Sequence, residues 1–127
     1  MKIINGYRGL VIFLIWVMFA TSSSISAQDV TIWISDVTEE NIEISMTNTV
    51  NVLGFLFFII SDDALELSLG SASGGSAQSN SFIVGTSPTT GFVGGFTFGN
   101  AIPAGDGVLT NINWTHNETS GYLSIGG

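Results

Sequence analysis

The chain has 127 residues, a formal net charge of −8, no cysteine, and hydrophobic residues at 45% of its positions. Its only cations, Lys2 and Arg8, both precede Leu10, so the rest of the chain sets ten Asp and Glu against no Lys or Arg. Such a surface repels nucleic acid and anionic lipid, has no guanidinium or ammonium group to hold phosphate or carboxylate ligands, and can form side-chain ion pairs only through His116.

The two cations lead into an unbroken apolar run, Leu10 to Ala20, and then a small polar stretch, Thr21 to Ala27. This order of charged, apolar and small residues predicts a secretory signal over residues 1–27, helical in its apolar part and cleaved after Ala27. As a membrane anchor the run is too short, since its eleven residues rise about 16 Å as a helix against a hydrocarbon core of roughly 30 Å. A third reading is a pilin-type leader cut after Gly9, which leaves the apolar run at the start of an assembling subunit. Removing residues 1–27 leaves one domain, 28–127, long enough for a single core. It is expected outside the cell or on its surface, with no stable membrane span, and the missing cysteines leave the compartment open.

Within that domain the hydrophobic period is two. Val30, Ile32 and Ile34 alternate with polar or larger residues, as do Ile42, Ile44 and Met46, which predicts two strands, each with one buried face, joined by a turn over Asp36 to Asn41. Val52 to Ile60 is apolar on both parities and predicts a central strand covered on both sides. Ala64 to Leu69 reads as a short strand or one helical turn, and Gly70 to Ser81 as a loop too polar and Gly-rich to pack. Phe82–Val84, Phe92–Phe98, Val108–Thr115 and Tyr122–Ile125 bring the set to about eight short strands with no amphipathic helix. The expected fold is all-β, an antiparallel sandwich of the jelly-roll or Greek-key kind.

Two motifs carry a family resemblance. Asn48 to Phe57 (NTVNVLGFLF) and Gly95 to Thr110 (GFTFGNAIPAGDGVLT), separated by a Gly- and Ser-rich stretch, resemble the cohesin-type domain, and more closely the short cohesin-like domains of secreted bacterial proteins. The resemblance spans most of Asn41 to Trp114 and implies that Gly54, Phe55, Phe57, Pro103, Gly105, Gly107 and Leu109 define the fold. It implies Gly54–Phe57 as core strand and Pro103–Gly107 as the turn into the next long strand. Pro103 presets φ, and the two glycines admit the positive φ that a tight turn uses. The resemblance also implies a non-catalytic module, because cohesins bind dockerin domains in polysaccharide-degrading complexes and share their fold with cellulose-binding modules.

Catalytic constellations are absent from the sequence: there is no nucleophile elbow, no metalloprotease helix motif, no Walker loop and no CxxC. His116 is expected to be a solvated histidine near a strand end. Asp62, Asp63 and Glu66 form the one local carboxylate cluster, a solvated turn or a weak Ca²⁺ site completed by loop carbonyls, at a spacing that does not match an EF-hand. No other cofactor is expected. Trp33, on the parity opposite Ile32 and Ile34, together with Trp114 and Tyr122, either stack on a sugar face or cover the second face of the sandwich. Asn113 and Asn117 begin N-x-T sequons, and with Ile112 and Trp114 facing inward Asn113 points to solvent. The expected function is a secreted binding module for carbohydrate or a dockerin-like partner domain, in polysaccharide degradation or adhesion. The alternative is a subunit of an extracellular filament or surface layer, self-assembling through strand pairing.

Overall fold

A computed structural model of the chain describes residues 2–4, 16–19, 29–61, 66–117 and 120–126. Its strands are β1 (Lys2–Ile4), β2 (Trp16–Phe19), β3 (Val30–Val37), β4 (Asn41–Asn48), β5 (Val52–Ser61), β6 (Leu67–Ser73), β7 (Ile83–Thr86), β8 (Phe92–Phe96), β9 (Gly105–His116) and β10 (Ser120–Gly126), with one short helix, α1 (Gly75–Ser79).

The strands form two facing sheets, an all-β sandwich. One has the order β3-β4-β9-β6 and is antiparallel throughout; the other has the order β1-β10-β5-β8-β7, with β2 also on β5, and only β1 lies parallel to its neighbour. The chain changes sheet after β2, β4, β5, β6, β8 and β9, so one core is assembled from residues far apart in sequence. The alternation of β3 and β4 explains their place: Ile32, Ile34, Ile42 and Ile44 point into the sandwich and are almost fully buried. Phe55, Phe57, Ile59, Val93, Leu123 and Ile125 meet them from the opposite sheet, and Leu109, Ile112 and Trp114 of β9 close the centre. No described buried side-chain nitrogen or oxygen lacks a hydrogen-bond partner, as a low-dielectric interior demands.

Several sequence expectations change. The signal helix is not shown: of the run from Leu10 to Ala20, the structure describes Trp16–Phe19, and these are extended and paired with β5. A β-branched and aromatic tetrapeptide beside an open strand edge gains a backbone ladder that an isolated short helix lacks. β5 is central, paired on both edges, yet it is covered on one face only: Phe55, Phe57 and Ile59 are buried, whereas Ile60 is 49% exposed and Leu56 and Phe58 are half-buried.

The stretch expected as an unpackable loop also packs. Gly70–Ser73 extend β6 along β9, with a register shift between Leu69 and Ala72, and α1 buries Ala77 completely. Backbone proximity is the reason: a Cβ on Gly75, whose φ is +68°, would lie 2.3 Å from the Leu109 carbonyl oxygen, so glycine lets the helix settle on β9 where any side chain would hold it off. The Pro103–Gly107 segment is a turn only in its first half, because β9 already begins at Gly105 and Gly107 pairs with Met46. Asn48 pins that corner by donating from Nδ2 to the Val50 and Pro103 carbonyls at 2.8 and 3.0 Å. Ile102 bridges Val52 through two backbone hydrogen bonds of 2.9 Å.

Candidate functional site

The outer faces of the two sheets differ in chemistry. On β5, β8 and β7 the inward parity takes Phe57, Val93 and Gly95, so the outward parity carries Leu56, Phe92, Gly94, Phe96, Ile83 and Gly85. Gly94 sits opposite both Leu56 and Gly85 in the ladder, and this glycine pair removes two side chains from the middle of the face. What remains is a trough of about 460 Å³ floored by the glycines and walled by Leu56, Phe92, Ile83 and Phe96. Ile83 is 57% exposed and Phe96 44%, and Phe98, just past the strand, is 91% exposed with its ring edge-on to Phe96 at 5.3 Å. No Asp, Glu or His lines the trough. Contiguous apolar surfaces on small domains are the usual form of interaction sites and ligand-binding grooves.

The outer face of β3-β4-β9-β6 is polar and carries the carboxylates of Asp36, Glu43 and Asp106. Ser45 donates to Ser35 at 2.7 Å, Ser35 donates to a Glu43 carboxylate oxygen at 2.8 Å, and Asn41 donates to the Asn111 side-chain oxygen at 3.0 Å. Trp33 stands in this carpet of hydroxyls and amides, half-buried and opposite Ser45.

The three aromatic candidates do not converge. Trp33 is on the polar face. Trp114 is 3% exposed and fixed in the core by Nε1 donating to the Thr38 carbonyl at 2.9 Å; of the two readings it carried, packing in the sandwich is the one this burial fits, because the parity that buries Ile112 buries the indole as well. Tyr122 lies in β10, in the other sheet, and its side chain is outside the described residues. His116 is half-buried instead of solvated, its ring centroid 4.3 Å from that of Trp114. Glu39, Glu40, Asn113 and Thr115 complete an open hollow of about 580 Å³ beside the two rings.

Of the Ca²⁺ candidates, Asp62 and Asp63 lie outside the described residues, and Glu66 is exposed. The Glu66 backbone is clasped by Asn117, whose Oδ1 accepts the Glu66 N–H at 2.9 Å and whose own N–H donates to the Glu66 carbonyl at 3.3 Å. Among the described residues no group of three or more His, Cys, Asp or Glu side chains is placed to hold a metal ion. Asn113 is exposed, as its parity predicts. Gly54, Phe55, Phe57 and Leu109 are all buried and Pro103 is exposed at its corner, consistent with fold-forming roles.

Sequence reading missed Ile83, Phe96 and Phe98. The signal was there in parity: Phe92, Gly94, Phe96 and Phe98 occupy alternate positions, and only one of the two parities can face the core. No family model, curated protein or solved structure matches the chain, and none of these comparisons identifies a cohesin-type domain.

Proposed function

We propose that the domain is a non-catalytic, cohesin-like binding module, working outside the cell, that takes a partner protein domain on the apolar outer face of β5, β8 and β7. The supporting observation is the glycine-floored trough flanked by Ile83, Phe96 and Phe98. Water leaves such a surface at a gain of roughly 25 cal/mol per Å², and the lack of charge along the trough means that no ionic group must be desolvated on docking. Aromatic rings at the centre of an interface are the side chains most often responsible for its affinity.

Phe98→Ser tests the assignment. At 91% exposure the ring contributes little to folding, so the variant keeps the melting temperature of the parent while losing capture of the partner isolated from the native secretome. Equal capture by parent and variant would remove the trough from the function.

A second ligand class has its own observation. Trp33 beside Ser45, Ser35 and the Glu43 carboxylate that Ser35 bonds combines an apolar ring with hydrogen-bonding groups, the pairing that suits a sugar. A glycan array with parent and Trp33→Ala decides it: polysaccharide binding lost in the variant assigns that face to carbohydrate, and silence of both leaves the protein partner.

A further inference from the structure

β5 has a divided edge. Along one side it pairs with β8 from Gly54 to Phe58. Along the other, β10 reaches only Phe58–Ser61, and β2 takes the remainder, with Trp16 opposite Leu56, Val17 opposite Phe55, Met18 opposite Gly54 and Phe19 opposite Val52. β2 therefore completes the central strand of the core instead of extending the rim of the sheet. Without it, the N–H and C=O groups of Gly54 and Leu56 would face outward in the middle of the sheet, since Val52 is held by Ile102 and the alternate residues bond toward β8. A strand edge in that state recruits another strand.

We propose that this contact is a strand-exchange joint, in which Trp16–Phe19 of one copy of the chain pairs with Val52–Leu56 of a second copy. The occupant follows from the seat: the chain already carries a segment whose register on this edge is defined, and a second copy supplies the identical segment. Exchange forms the same register pairs between copies that the chain forms within itself, so the ladder is conserved and chain concentration decides between the two states. The tether permits it. Residues 20–28 (ATSSSISAQ) are small or polar apart from Ile25 and hold no proline. The ten Cα steps from Phe19 to Asp29 reach at most about 35 Å. A reciprocal exchange closes a dimer, and a one-way exchange propagates a chain of subunits. An exported form beginning at Leu10 keeps the joint, whereas one beginning at Gln28 lacks the donor. The joint lies on the edge of the sheet and the partner site on its face, so either can fail without the other.

The chain has no cysteine, which makes cross-linking unambiguous. Register partners in an antiparallel ladder have Cβ atoms about 4.5–5.5 Å apart, close enough for a disulfide after slight adjustment. Full-length Trp16→Cys and full-length Leu56→Cys are mixed, incubated at high concentration and oxidised. The expected product is a disulfide-linked heterodimer, lost when Trp16→Cys is mixed instead with Ile83→Cys, which lies on β7 away from that edge. Light scattering after size exclusion provides a second readout that does not depend on Leu56→Cys folding. The unmodified full chain is expected to assemble and Phe98→Ser to assemble equally. Met18→Pro, which removes the ladder donor opposite Gly54 and fixes φ, should run as a monomer. Absence of the heterodimer from folded single variants, or undiminished assembly of Met18→Pro, overturns the proposal.

Discussion

Phe57 has no exposed surface and its ring centroid lies 6.0 Å from that of Phe55, so it fills space that no neighbour can reach. Phe57→Ala is expected to lower unfolding free energy by about 3–5 kcal/mol, read as a shift of the urea midpoint. Partner capture per folded molecule should not change, because the ring points away from the trough. Gly107 presents the opposite case. Its φ is +150° and a Cβ there would meet nothing within 4 Å, so Gly107→Val carries a backbone penalty without a clash. The variant should melt below the parent and bind normally; an unchanged melting temperature with lost binding would make this corner a contact site. Both positions were legible as fold-forming from their motifs. What the motifs could not convey was that Gly107 sits inside a strand opposite Met46, since the partner lies about 60 residues away in sequence.

At the scale of elements, legibility followed side-chain burial. β3 and β4 show a period of two because each has one face in the core, and Ile32, Ile42 and Ile44 report it directly. β6 beyond Leu69 and α1 were invisible for the converse reason: apart from Ala77, their attachment runs through backbone approach and small side chains, which leave no hydrophobic rhythm. Gly75 makes the point testable. In an ordinary helix interior alanine is favoured over glycine by about 1 kcal/mol. Here the added methyl would meet the Leu109 carbonyl at 2.3 Å with φ at +68°, and the sign reverses. Gly75→Ala should destabilise the fold by more than about 1 kcal/mol, measured by thermal melting, and an increase in stability would show that α1 can lift from β9 without loss. The trough was hidden by a different ambiguity. Phe92–Phe98 contains four phenylalanine or glycine positions on one parity, and only the pairing with β5 and β7 decides which parity is outside.

For the whole molecule, composition determines more than any local motif. Residues 28–127 hold all ten carboxylates and no Lys or Arg, so cohesion rests on apolar burial and the backbone ladders while the charges repel one another. Two expectations follow with a definite sign. Added NaCl screens that repulsion, with a Debye length falling from about 10 Å at 0.1 M to about 3 Å at 1 M; the melting temperature should therefore rise with salt, whereas a fold held by surface ion pairs would lose stability. The same field excludes polyanions. At physiological salt the protein should show no retention on heparin and no shift of a labelled DNA duplex, because binding to either draws on cations displacing counterions, and the domain has none to contribute. Retention on heparin without added metal would mean that a bound cation or an unexpected surface outweighs a charge near −10. The field thus disfavours an anionic partner, and the uncharged trough beside Phe96 and Phe98 is where the described surface offers the largest exposed rings for neutral contacts.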